Sequence, residues 1–369
     1  MSDSGLRLNV PTWVSYILSF TGLAGLAGAA LLYAYQCEII YPSAFPEGSR
    51  TVVSKPSEFG MEFTETTLTT KDNIKLHTYT MVLENEQEAR AAPTILYFHA
   101  NAGNMGHRLP IARVYHQKLK CNVVMLSYRG YGLSEGKPNE KGMRIDSQTL
   151  LEYVHSHPIL KNTRLVAYGQ SIGGAVAIDI VSHNEDAFSG LIIENTFLSL
   201  PKLIPHVMPV LKYFTFLCHQ QWPSDVNIQR IAKTPVLFLS GGRDELIPPA
   251  HMSKLHELCN TQGTKDWHEL PNGMHNDTCV QPGYFTAIRE FLERRILMEE
   301  RRTDQDREKA EHTTDQVHLD DDTKGGQQEE EEEERRSNTP EPYQLVSGVA
   351  DESGMTHSFQ VEEIELEEE

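Results

Sequence analysis

The sequence predicts an α/β fold built on a mostly parallel sheet, with an antiparallel N-terminal edge and helices on both faces. Three observations predict it. Short apolar runs recur along the middle of the chain, stretches of helical length separate them, and an alternating segment with a turn precedes them. The edge comes first. Residues 61–83, MEFTETTLTTKDNIKLHTYTMVL, alternate polar with apolar and turn at Asp72-Asn73, the pattern of an antiparallel hairpin. The runs follow at Thr94–Ala100, Asn122–Tyr128, Arg164–Gly169, Gly190–Asn195 and Pro235–Gly241. Their apolarity is continuous rather than alternating, so each is a strand covered on both faces. Lys141–His157 and Ile172–His183 have the length and pattern of connecting helices. The rhythm breaks at Phe197–Lys233, where Pro201, Pro205, Pro209 and Pro223 stand among large apolar residues. A long interruption of that kind is either an irregular packing segment or a lid over a site.

The two ends differ from this middle. Trp13 to Tyr35 is a run of 23 residues without a charge. As a helix rising ~1.5 Å per residue it spans about 35 Å, enough to cross a bilayer core with some tilt. Trp13, Tyr33 and Tyr35 sit near its ends, where amphipathic rings favour the interface. Only Arg7 precedes the run, too weak a basic region for a cleaved signal peptide, so an uncleaved membrane anchor is expected. The nearest positive residue after the run is Arg50, which tips the expected orientation toward a cytoplasmic N-terminus. At the other end, Arg301–Glu369 holds 23 acidic and 7 basic residues, −16 of the chain's −19. Few apolar residues accompany those charges, so a disordered acidic tail with no partner identified is expected. The organisation is then a short segment 1–12, an anchor 13–35, a linker 36–59, a domain 60–297 with a possible lid at 197–233, and a tail 298–369. The absence of a basic patch argues against nucleic acid as a partner. The five cysteines are scattered, with no C-x-x-C pair to suggest a zinc or redox site, and no cofactor is expected.

Chemistry on a parallel sheet belongs at the carboxyl ends of the strands. There the chain places Gly169-Gln170-Ser171-Ile172-Gly173, a serine between glycines directly after an apolar run. This is the pattern of a nucleophile elbow, a strand turning sharply into a helix with the hydroxyl at its apex. A serine hydroxyl needs a base, usually histidine, and the histidine needs a carboxylate to orient it. Asp244 stands three residues past the strand ending at Gly241, and His275 lies in a loop after the short run WHEL. Ser, Asp, His is the chain order this topology requires. Glu194 is the competing acid. The loop after the strand at 94 reads His99-Ala100-Asn101-Ala102-Gly103-Asn104. Its Asn101 backbone N–H, with that of Ile172, is the expected oxyanion hole. His99 is expected to order that loop, Arg129 and Tyr131 to be structural, and His107, His251 and His268 to be surface groups. Asn276-Asp277-Thr278 is a glycosylation sequon that matters only in a lumenal domain.

The segments FHANAGNMGHRLP, SYRGYGLSEG, YGQSIGGAVAI, ENTFLSLP, LIPP and MHNDT together resemble the Bem46-like branch of the α/β-hydrolase superfamily. The resemblance covers the apolar N-terminal run and residues 60–297, and leaves out the acidic tail. It implies an α/β-hydrolase fold and a single-pass membrane serine hydrolase with Ser171 as nucleophile, Asp244 as acid and His275 as base. The branch usually carries glycine where Ala100 stands. Related branches include protein depalmitoylases, so an acylated protein or lipid is the expected substrate. Palmitoyl-protein thioesterase stands first, with lysophospholipase or carboxylesterase as the alternative, in the endoplasmic reticulum or another endomembrane. The contrasting class is a catalytically silent membrane protein that binds through its acidic tail.

Overall fold

The structure, a computed structural model, describes residues 11–297. The segment expected to be a disordered tail, 298–369, lies outside the described residues, as do residues 1–10. The described chain opens on helix α1, Thr12–Ile40, which is long and apolar enough to cross a membrane. Trp13, Tyr16, Phe20, Leu23 and Leu26 are exposed on it. The span-forming part of this helix is apolar all round and has no protein packed over it, which matches lipid better than water.

Eight strands form one sheet: β1 Thr64–Thr69, β2 Lys75–Met81, β3 Thr94–Phe98, β4 Asn122–Leu126, β5 Leu165–Gln170, β6 Gly190–Glu194, β7 Val236–Gly241 and β8 Lys265–Leu270. Their spatial order is β1-β2-β4-β3-β5-β6-β7-β8. β1, β2 and β4 pair antiparallel, and every pairing from β4 to β8 is parallel. The edge hairpin turns at Asn73, whose φ of 61° places it in the left-handed region that asparagine tolerates. The Thr70 hydroxyl donates to Asp72 and accepts the Ile74 N–H at 2.9 Å, closing the turn.

The helices that follow α1 are α2 Glu86–Ala91, α3 Leu109–Arg113, α4 Glu140–Ser156, α5 Ile172–His183, α6 Leu200–Val207, α7 Ser224–Asn227, α8 Ala250–Leu258 and α9 Tyr284–Phe291. Successive strand residues point to opposite faces, and the two faces feed two cores. Leu96, Phe98, Leu126, Ala167 and Ile193 pack with α4, α5 and α8. Ile95, Tyr97, Met125, Val166 and Ile192 pack with α3 and α9. Both faces are covered, so the strands read as unbroken apolar runs.

Residues 36–59, expected as a linker, are fixed to the domain. The Tyr41 hydroxyl donates to Gln220 Oε1 at 3.0 Å and accepts from the Trp222 indole at 2.9 Å. Asn104 Nδ2 donates to the carbonyls of Ser49 and Val52, both at 2.9 Å. The interruption at 197–233 is α6, short turns and α7. Its base is tied down by Leu200 N–H to Gln221 O at 3.0 Å and by Asn227 Nδ2 to Asp179 on α5 at 2.8 Å. Its tip, near residues 207–216, holds exposed apolar side chains.

Candidate active site

The end of β5 dictates the local geometry. Ser171 has φ 57° and ψ −122° between β5 and α5, a strained backbone worth about 1–3 kcal/mol that persists only where its surroundings impose it. Its N–H donates to Glu194 O at 2.9 Å, and its carbonyl accepts the Thr196 hydroxyl at 2.7 Å. The two glycines beside it permit the packing. A β-carbon on Gly169 would lie 2.1 Å from the Gly173 carbonyl oxygen, and one on Gly173 would lie 2.0 Å from Phe98 O. The start of α5 therefore rests directly on the end of β3, where the 99–104 loop begins.

Three side chains from different strand ends meet there. His275 Nε2 lies 3.1 Å from Ser171 Oγ, and His275 Nδ1 lies 2.8 Å from Asp244 Oδ2. The other Asp244 oxygen accepts the N–H groups of Leu246 at 2.9 Å and Ile247 at 2.7 Å. This leaves Oδ2 aimed at the imidazole. All three residues are buried. A carboxylate can only accept from Nδ1–H, so Nε2 is left as the acceptor facing the hydroxyl.

The His275 loop is held as firmly as its side chain. Gln170 Nε2 donates to His275 O at 3.1 Å, and the His275 N–H donates to Glu245 at 3.1 Å. Thr278 Oγ1 donates to Met274 O at 2.6 Å and accepts from Asn195 Nδ2 at 2.8 Å. The threonine of the apparent sequon thus has a packing role, while Asn276 is exposed beside the cavity. Glu194 is fully buried and occupied elsewhere. It accepts from the hydroxyls of Tyr168 at 2.6 Å and Tyr284 at 2.5 Å and from Gln170 at 3.2 Å, and burial pushes its carboxyl up. Asp244, not Glu194, meets the histidine.

Asn101 and Ile172 line the same cavity as Ser171 and His275. Ile172 is the first residue of α5, so its N–H has no partner within the helix. The Asn101 side chain is committed: its amide donates to Ile40 O, and its oxygen accepts the Tyr131 hydroxyl at 2.7 Å. Only its backbone is left for a ligand. Tyr131, expected to be structural, grips this loop, a contact with no trace in the local sequence. Arg129, two residues earlier, clamps the turn by donating to both Asp146 and Asp72 at 2.7–3.0 Å.

His99 sits beneath this loop against Tyr128 and Tyr131, with ring centroids 4.4 and 5.2 Å apart. Its Nδ1–H donates to Ala100 O at 2.7 Å, and its buried Nε2 has no hydrogen-bond partner. Burial pushes its pKa from 6.5 down to about 3. His251 corrects the expectation of a surface group. It is buried, accepts the Leu198 N–H at 3.2 Å, and is lowered to about 4 by burial and then by His206 and Lys202. His107 and His268 are half-buried, and the His107 ring accepts the Asn104 N–H at 3.0 Å. Because the unfolded chain protonates His99 and His251 near pH 6.5 and the folded chain does not, stability falls as pH drops from 6.5 toward 3. Thermal unfolding of the solubilised protein should therefore show a falling midpoint across that window. His99→Gln should flatten the slope; an equally steep slope would remove His99 from the account.

The serine opens into a cavity of about 1130 Å³, just above the ~300–1,000 Å³ usual for ligand pockets. Its walls are mainly apolar: Leu200, Leu203, Val207 and Phe214 from the 197–233 segment, and Leu32 and Ile39 from α1. No group of three or more metal-ligating side chains occurs among the described residues.

Residues 114–230 match the family described as serine aminopeptidase, S33; the match includes Ser171 but ends before Asp244 and His275. Protein bem46 of Schizosaccharomyces pombe is 50% identical over 75% of this chain and 93% of its own. The chain belongs to the Bem46-like branch of the α/β hydrolases. The Arabidopsis thaliana α/β hydrolase domain-containing protein WAV2 is 37% identical over 77% of this chain and 96% of its own. An uncharacterized membrane protein of Saccharomyces cerevisiae is 41% identical over 73% of this chain and 94% of its own. Among solved structures, a Pyrococcus furiosus esterase aligns with TM-score 0.56 at 19% identity, covering 67% of this chain and 96% of its own. The acetyl xylan esterase of Paenibacillus sp. R4 aligns with TM-score 0.52 at 14% identity, covering 65% and 91%. At such identities the likeness is one of α/β-hydrolase fold. Within this Bem46-like chain, Ala100 is accommodated without strain. Neither it nor Asn101 has a positive φ; the left-handed position of the loop is Gly103, at φ 79°.

Proposed function

We propose that the chain is a membrane-anchored serine hydrolase that cleaves long-chain acyl thioesters or esters, acyl-protein thioesters first. One observation carries the reading: Ser171, aligned with His275 and Asp244, sits in the wall of a large apolar cavity. His275 Nε2 takes the Ser171 proton as Oγ attacks the acyl carbonyl, and the N–H groups of Ile172 and Asn101 receive the negative oxygen. The intermediate collapses by releasing the thiol or alcohol, which leaves with the proton from His275. Water, deprotonated by the same nitrogen, then frees the fatty acid and restores the serine hydroxyl. Asp244 holds the imidazole and stabilises its charged form throughout.

Two features favour a long acyl chain. The cavity walls are apolar, and burying each methylene is worth ~0.8 kcal/mol. An anchored domain also meets membrane-bound acyl groups at high effective concentration. Anchoring by α1 is part of the proposal, with an endomembrane as the site; release of the full-length protein by alkaline carbonate would exclude a spanning helix. The substrate is tested on purified enzyme with thioesters and esters of graded length. kcat/KM should rise roughly fourfold per methylene until the cavity is filled. A maximum at two to four carbons would refute the long-chain reading. Activity on long esters but on no thioester would replace acyl proteins with lysophospholipids.

A further inference from the structure

We propose that the tip of the 197–233 segment lies in the membrane leaflet beside α1, and that the cavity opens there. An acyl chain then passes from the bilayer to Ser171 without crossing water. The identity of what passes rests on the hydrolase reading above; the insertion of the tip rests only on the anchoring by α1.

The cavity is walled by two elements at once. Leu32, Gln36, Ile39 and Ile40 recur at helical spacing and form one stripe of α1 facing it. Leu32 belongs to the uncharged run, so the cavity extends alongside α1 into the part that has the length and composition of a membrane span. Opposite stand Ile204, Val207, Leu211 and Phe214. Several wall residues are also external: Ile39 is 48% exposed, Val207 43% and Phe214 45%. The cavity therefore has an outward rim, and that rim is apolar.

The outer surface of the same tip carries Val210, Tyr213 and Phe216, which are 81%, 73% and 78% exposed. Three large apolar side chains this exposed on one short tip call for a covering. Its position relative to α1 argues for lipid. The Gln36 amide donates to Leu217 O at 3.1 Å, and its oxygen accepts the His219 N–H at 2.8 Å. The Tyr33 ring meets His219 edge-on with centroids 4.9 Å apart. These contacts fix residues 217–219, directly after the tip, level with the last turn of the uncharged run. If α1 spans, the tip is at the leaflet boundary. Lys212, with its ammonium 4.8 Å from the Tyr213 ring centroid, suits that depth, because a long basic side chain keeps its charge in the headgroups while its stem lies among apolar groups.

The test reconstitutes the full-length protein in phosphatidylcholine vesicles with bromine on the acyl chains. Phe216→Trp should add tryptophan fluorescence that the bromolipid quenches, relative to the wild type. Glu152→Trp, at an exposed position on α4, should add fluorescence that is not quenched. Equal protection at 216 and 152 would overturn the insertion. A second variant carries Val210→Ser, Tyr213→Ser and Phe216→Ser together. Its turnover of a water-soluble short ester should stay within about twofold of wild type, while its turnover of a long-chain acyl substrate in vesicles should fall at least tenfold. Equal retention of both activities would overturn the lateral route. A wild type that hydrolyses neither substrate would reject the hydrolase reading, and quenching at 216 would still decide the insertion.

Discussion

Ser171→Ala should lose turnover by on the order of a millionfold, the size of effect seen when the nucleophile of a Ser-His-Asp triad is removed. Labelling by a fluorophosphonate should vanish with it. The substitution deletes one atom whose partner is His275 Nε2. Both backbone contacts of residue 171, to Glu194 and Thr196, survive. The thermal midpoint should therefore stay within a few degrees of wild type, which separates lost chemistry from lost folding. Asp244→Asn should cost about 10⁴-fold, since an amide in place of the carboxylate favours the wrong imidazole tautomer. Equal labelling of the wild type and the Ser171→Ala variant would place the reactive group elsewhere.

Gly173→Ala should be the most damaging single methyl addition at the site. The new β-carbon would lie 2.0 Å from Phe98 O and 2.8 Å from His99 O. Both obstacles are backbone, so no side-chain rotation relieves them. Helix α5 must move off β3, which disturbs Ser171 and the 99–104 loop together. A stability loss above roughly 4 kcal/mol is expected, enough to lower the thermal midpoint by about 10 °C. Gly22→Ala supplies the control, because nothing lies within 4 Å of its added carbon. A Gly173→Ala protein with wild-type unfolding and labelling would contradict the close packing of α5 on β3.

Much of this architecture was legible because burial on both faces leaves a simple trace. β3 to β7 appear as apolar runs, and Ser171, Asp244 and His275 each follow a strand end, where a parallel sheet exposes its chemistry. What was not legible depends on contacts between distant segments. The α1 residues that line the cavity, Leu32 to Ile40, look in sequence like the end of an apolar run followed by a linker. Only Gln36, a polar residue closing that run, hints at docking. The burial of His251 was hidden because its partner is a backbone N–H from the 197–233 segment, whose path no periodicity predicts. Tyr131 could be assigned to a turn, but its grip on Asn101 spans 30 residues. Helices α2, α3 and α8 are short, and propensity alone marks such elements weakly.

Acyl transfer through Ser171 requires a covalent acyl ester on its hydroxyl. The most direct measurement mixes full-length enzyme in vesicles with a long-chain acyl thioester, quenches with acid within the first turnover, and maps the adduct by peptide mass spectrometry. The expected result is that ester on the Ser171 peptide, absent from the Ser171→Ala protein. Turnover that leaves this peptide unmodified while an adduct forms on a cysteine, or that persists in the Ser171→Ala protein, would contradict it.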